Sequence, residues 1–335
     1  MIRTRIDGLN SGEMGGTLAR YGAPTQVAAN GINALSMGGM GAMGFGSDIR
    51  SDAQQPMIEE GKLPETMNGF IAGGYLTGDS TAMTGVLNRD EYTGWYAAGG
   101  IETADEGSSI GIAFSYTRLD GTGALAGQTA HADLFQGSLY GKATFGSVNI
   151  DTMFTAGLLD LHTARAVTFV GTPYTIQNSN GSLVLVSEVG LSKDFDIGAV
   201  RVTPRVAGRA SHIGFSRTAE EGGPMALMID RGAVNSTQAR GGLTIAGTGT
   251  VKPFLNGTLV HDFQDRPGVL GANFVGGVGG NVLFALNGQD HDWAEVSGGI
   301  TFETGSIALS ASAESTIERQ DVSSQAYRGS FSIKF

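Results

Sequence analysis

The stretch Tyr327-Arg328-Gly329-Ser330-Phe331-Ser332-Ile333-Lys334-Phe335 decides how this chain is read. Its odd positions carry Tyr, Gly, Phe, Ile and Phe, and its even positions carry Arg, Ser, Ser and Lys. Successive side chains of a β-strand point to opposite faces, so the alternation predicts a strand with one apolar and one polar face. The pattern runs on to an aromatic last residue, where a soluble domain ordinarily frays. A soluble sandwich can also finish on a strand, and what separates the two readings is how often the pattern recurs upstream.

From about Met67 it recurs steadily, predicting about twelve strands with the terminal one as the last. Gly69 to Tyr75 is the first candidate and Glu91 to Ile101 the second. In the third, Ile110, Ile112, Phe114 and Tyr116 alternate with Gly111, Ala113, Ser115 and Thr117. The fourth spans Phe135 to Phe145. The fifth sets Ile150, Thr152, Phe154 and Leu158 against Asn149, Asp151, Met153 and Thr155. The seventh sets Val200, Val202, Pro204 and Val206 against Arg201, Thr203, Arg205 and Arg209. Connections after even strands read as short, such as Gly146 to Ser147 and Gly247 to Thr250. Those after odd strands read as long: Ala164 to Gly181, Gly214 to Asn235 and Gln264 to Gln289. Short turns at one end and long loops at the other characterise an up-and-down membrane barrel. With an even strand count, both barrel ends fall on the short-turn side.

Composition agrees. The 335 residues include 54 Gly and no Cys, with a formal net charge of −11. That much glycine is too frequent for a helical protein, and it lacks the strict period of collagen. No apolar run reaches the roughly 18 residues of a membrane helix, which excludes helical membrane proteins but not barrels. Zero Cys removes thiol chemistry and suits passage through an oxidising periplasm. The acidic balance excludes a nucleic-acid binder, which needs a basic face. Residues 1–66, with Gly15-Gly16, Gly38-Gly39 and Met14, Met37, Met40 and Met43, read as a linker or a lumen-threading segment. Residues 67–335 read as the barrel. Met1 to Asp7 is followed by no apolar h-region and is not a signal peptide, so an exported chain is expected to be a piece of something longer.

Arginine or lysine facing hydrocarbon at mid-bilayer costs about 2–4 kcal/mol. The expectation is therefore that Glu188, Arg201, Arg205, Arg209, Arg240, Lys252, Glu295 and Glu314, with Asp151, face a lumen. Tyr116, Phe145, Phe263, Phe302 and Phe335 sit near strand ends, as interfacial girdles do. No catalytic, cofactor or metal constellation stands out. The five histidines make no metal-ligand spacing, and Asp290-His291-Asp292 reads as a solvated loop end. Gly107-Ser108-Ser109-Ile110-Gly111 matches GxSxG but enters a strand, where a nucleophile elbow must turn into a helix. Val275 to Gly280 reads as a flexible loop with no phosphate-binding lysine after it.

Residues from about Met67 to Phe335 resemble the C-terminal β-domain of classical (type V) autotransporters. The matches are Gly69 to Tyr75, Thr203-Pro204, Lys252-Pro253, Leu259-Val260-His261-Asp262-Phe263 and the terminal Tyr327 to Phe335. The resemblance implies a monomeric twelve-stranded barrel in the lipid of a bacterial outer membrane. It implies that Tyr327, Phe331, Ile333 and Phe335 are read as a signal by the barrel assembly machinery. It implies an N-terminal passenger helped to the cell surface, with no enzymatic activity in the barrel itself. The Gly- and Met-rich leader departs from the lumen helix frequent in that family. Lumen acids would either brace the barrel, touch the passenger or cleave it, with Asn30 and Asn33 the nearest scissile-type residues. The alternatives are a passive porin-like channel, or the barrel of a surface enzyme whose catalytic passenger lies upstream.

Overall fold

The computed structural model describes residues 67–81, 89–105, 108–123, 127–230, 233–263, 269–276, 282–285, 290–304, 307–319 and 322–334, and everything below concerns these. Residues 1–66, with Asn30 and Asn33, lie outside them, as does Phe335. Twelve long strands carry the fold: β1 (Met67–Thr81), β2 (Arg89–Asp105), β3 (Ser108–Thr122), β4 (Gln128–Phe145), β5 (Val148–Phe169), β6 (Thr172–Ser192), β7 (Val200–Phe215), β8 (Ala233–Gly247), β9 (Val251–Asp262), β10 (Asp292–Thr304), β11 (Ile307–Ile317) and β12 (Val322–Lys334). Each pairs antiparallel with the next, and β12 pairs with β1 from Asn68↔Lys334 to Ser80↔Val322. The sheet is therefore a closed barrel with no free edge, the condition for β-structure to stand in hydrocarbon. Both seam strands begin or end at the short-turn side, where Met67 pairs with Thr103.

The connections differ from the expected sorting: those after β3 (123–127) and β11 (318–321) are shorter than the one after β6 (193–199), and a further one differs in kind. Ala164 to Gly181 is not a loop. Strands β5 and β6 run through it as a paired hairpin, closed by Val170 and Gly171. The polar run Thr175 to Gly181 reads as loop on its own, yet Val167, Phe169, Tyr174 and Ile176 alternate through the same hairpin, and pairing between long neighbours carries the whole span. Both turn residues have positive φ, 49° and 78°, as a tight hairpin turn demands. Glycine meets that demand and valine does not. The connections 216–232 and 263–291 are long as expected. They hold short strands Thr218–Ala219, Leu227–Asp230, Val269–Phe274 and Val282–Ala285, which form a separate four-stranded sheet at the long-loop end.

Along most of each strand the outward side chains are apolar: Phe114, Leu139, Phe154, Val189, Val206, Leu255, Ile300 and Leu309 are all exposed. A wall of this kind would be an aggregation surface in water and is a fitting one for acyl chains. Near the long-loop end of β4 and β5 the alternation inverts. Leu134, Leu159 and Leu161 point inward and are buried, while Asp133, His131, Asp160 and His162 point outward. A strand that has left the bilayer meets water outside and its own dry core inside, so its polarity reverses with no change of register. Ile229 of the loop sheet is buried in the same apolar cluster as Leu119, Leu134, Leu161, Val184, Ile213 and Val234.

Inside the wall, aromatic rings lie flat across glycines of the neighbouring strand. A Cβ on Gly111 would fall 2.3 Å from Tyr140, and one on Gly74 would fall 2.5 Å from Tyr96. The same relation joins Gly100 to Phe70 and Gly299 to Phe254. The inward glycines thus make room for rings, a role beyond the curvature that outward glycines permit.

Two outcomes are expected. Val170→Asn relieves a β-branched residue in the left-handed region and should raise unfolding stability in urea by about 1 kcal/mol. Val206→Arg turns a charge toward lipid in mid-strand and should cost about 2–4 kcal/mol in bilayer refolding, although Arg205 beside it is native.

Candidate functional site

The lumen is built from the inward position of each pleat. Arg205 on β7 reaches two acids, Glu188 on the neighbouring β6 and Asp151 on β5 beyond it. Its Nε donates to Asp151 Oδ1 at 3.1 Å and its Nη2 to Glu188 Oε1 at 2.6 Å, with a further bond to Asp151 Oδ2. Two pleat repeats higher, Arg209 Nη2 lies 2.8 Å from Glu188 Oε2. All four side chains are buried. On the next strand, Arg240 of β8 pairs with Glu295 on β10 and donates from Nη1 to Gln238 Oε1 at 2.9 Å. Trp293 Nε1 donates to Glu295 Oε1 at 2.9 Å, and the Arg319 guanidinium stacks 4.2 Å from the Trp293 ring. A desolvated charge is tolerable only when paired, and each of these arginines meets an acid: Arg205 and Arg209 of β7 meet Asp151 and Glu188, and Arg240 of β8 meets Glu295.

Of the other anticipated lumen residues, Lys252 pairs with Glu303 near the short turns, and Glu314 is buried on β11. Arg201 stands apart from the lattice. It bonds Asp196 at 2.8 Å at the rim, where Phe195–Ile197 folds back on β7. Sequence reasoning left out Glu102, which accepts from the Tyr140 hydroxyl at 3.2 Å, and Arg328, whose Nε donates to the Tyr96 hydroxyl at 2.7 Å. The signal for both was their place on the polar phase of a strand. Their ring partners occupy the same phase, and only strand pairing shows it. Tyr327, Phe331 and Ile333 lie on the outward phase of β12, against β1 and β11.

Two further features ring the outer wall. Tyr75, Trp95, Tyr116, Phe135 and Tyr327 form a half-girdle on neighbouring strands, with ring centroids 5.3 Å apart for Trp95–Tyr116 and 4.7 Å for Tyr116–Phe135. Such amphipathic rings settle at a membrane interface. Beyond it, toward the long loops, lie all five histidines. His131 sits between Asp120 and Asp133, at 2.7 and 3.1 Å, and His162 is 3.4 Å from Asp160. His212 faces Asn235 at 2.7 Å and His261 faces Asp292 at 2.8 Å. His291, expected as a solvated loop end, is half-buried, with Nδ1 3.0 Å from the Asp262 carbonyl. Among the described residues no group of three or more His, Asp or Glu is set to hold a metal ion. Ser108 and Ser109 open β3, so the GxSxG match leads into a strand.

The sequence from residue 69 to 314 matches the family model described as autotransporter β-domain. The chain belongs to the autotransporter β-domain family. It is an outer-membrane translocator barrel of type V secretion. Among solved structures, the translocator domain of the autotransporter NalP from Neisseria meningitidis is similar with a TM-score of 0.67 at 11% identity, over 82% of this chain and 90% of that one. The β domain of the Bordetella autotransporter BrkA gives 0.54 at 13% identity, over 80% and 99%. The Ralstonia pickettii toluene transporter TbuX gives 0.53 at 10% identity, over 95% and 99%. At these identities the likenesses are of fold. Comparison with curated proteins finds no match.

In this translocator barrel the Arg205 cluster buries two arginines against two acids. Arg205→Ala leaves Asp151 and Glu188 facing each other and should destabilise the barrel by about 3–5 kcal/mol. The loss is read as a lower temperature for conversion from the folded to the unfolded band in semi-native electrophoresis.

Proposed function

We propose that this barrel stands as a monomer in the outer membrane of a Gram-negative cell, inserted by the barrel assembly machinery, and carries its own N-terminal passenger outward. The observation that supports this most directly is the placement of β1. It starts at the short-turn end, so chain preceding Met67 joins the barrel from that side. With the long loops outside, a passenger fused ahead of β1 reaches the surface only by way of the lumen. The buried ion pairs then serve to keep the wall rigid during transit. In this reading the barrel has no active site, and any enzymatic activity belongs to a passenger. Tyr327, Phe331, Ile333 and Phe335 are the residues offered to the assembly machinery, since β12 closes the seam with β1.

The porin-like alternative fits less well. Ile229 and Leu227 of the loop sheet pack on the apolar cluster at the mouth, where a porin keeps a wide polar channel. A reporter domain with an export signal, fused ahead of residue 1, should become accessible to protease on intact cells. Removing β1 from the fusion should abolish that accessibility. A reporter that stays periplasmic beside a fully inserted barrel refutes the translocator role. So does a large steady conductance that is unchanged by deletion of residues 1–66.

A further inference from the structure

Outside the lumen, the described residues form a cavity of about 630 Å³ in the outer wall, just beyond the aromatic half-girdle. It is lined by the outward-facing Asp120 of β3, His131 of β4, His162 of β5, Gln177 and Ser179 of β6, and Glu221 of the loop between β7 and β8. We propose that this cavity receives the sugar headgroup of an outer-leaflet glycolipid. The inference rests on the membrane placement proposed above and goes beyond it.

Position supplies the first argument. Along β3 the outward residues run Tyr116, Arg118, Asp120; along β4, Phe135, Asp133, His131; along β5, Leu158, Asp160, His162. Each strand passes from an apolar or interfacial residue to the cavity within two pleats. Four residues advance about 13 Å along a strand, or about 10 Å along the bilayer normal at a tilt of about 40°, so the cavity lies above the acyl chains, at the depth where glycolipid sugars project.

Chemistry supplies the second. The lining offers an amide, a hydroxyl, carboxylates and imidazoles, a mixed set of donors and acceptors suited to a polyhydroxylated ring. Asp120, Asp133, Asp160 and Glu221 outnumber the nearby Arg118. A bare phosphate would meet repulsion there, while sugar hydroxyls donate to carboxylates without penalty.

Rigidity supplies the third. Bonds to Asp120 and Asp133 hold the His131 ring from both sides. The loop that forms the far wall is pinned to β6 by reciprocal backbone bonds between Gln177 and Glu221, both 2.8 Å. Arg165 and the buried Glu220 form a part-buried bidentate pair at 3.0 and 2.6 Å, and Arg165 also donates to the Met225 carbonyl at 2.8 Å. The volume falls within the usual range for small-molecule sites, and a pre-formed wall loses little entropy when it is filled.

The test uses the full chain, extracted from outer membranes and delipidated. Native mass spectrometry measures binding of lipopolysaccharide with its full inner core, of the same lipid trimmed to lipid A, and of phosphatidylethanolamine. The core-bearing lipid should bind about tenfold more tightly than lipid A, the gain expected from one or two net hydrogen bonds. Asp120→Ala combined with Gln177→Ala should erase that preference while lipid A binding and the folded electrophoretic band are unchanged. Equal binding of core-bearing lipid and lipid A overturns the proposal, as does a preference that survives the double variant. Equal affinity for the free core oligosaccharide overturns the assignment to a lipid headgroup. Fractionation of the chain with outer or inner membranes tests the placement separately.

Discussion

Every feature of this barrel depends on one requirement: a backbone crossing hydrocarbon must find all its hydrogen-bond partners in protein. Pairing of β12 with β1 along nearly the full length of both strands meets it. Once the edge is gone, each strand is left with two faces in two different solvents, and side-chain chemistry sorts by pleat parity. Arg205 and Val206 are neighbours in the chain, yet one is buried among carboxylates and the other is exposed on the lipid side.

That sorting is sensitive to depth, not only to parity. Below the half-girdle, outward means oil and inward means a charged lumen. Above it on β4 and β5, outward means water and inward means an apolar cluster that takes in Ile229 from the loop sheet. The point where the phase flips, between Leu158 and Asp160 on β5, marks where the strand leaves the bilayer. The long β5–β6 hairpin is the part of the wall built for the far side.

The strand pattern, the closed architecture and the parity of the lumen charges were legible because each is written within a single strand. Arg201, Arg205 and Arg209 share one phase, and that phase is the polar one. The inversion was illegible because Leu158-Leu159 and Leu134-Phe135 place apolar residues on both phases at once, which erases the alternation where it changes sense. Partner choice was illegible for another reason. Glu102 with Tyr140, or Gly111 beneath the same ring, is fixed by register between strands, and nothing local to either residue encodes it. The polar residues of 175–181 were read as loop because their strand character comes from a neighbour.

The hairpin that ends in Val170-Gly171 carries Asp160, His162 and their partners on a surface that cannot rest among acyl chains. During insertion this tip has to be ferried over the oily barrier, and once across it has every reason to stay. The barrel is therefore barbed: easy to seat from one side with help, and hard to withdraw. Its orientation is locked by the same carboxylates that gave no hint of a catalytic role.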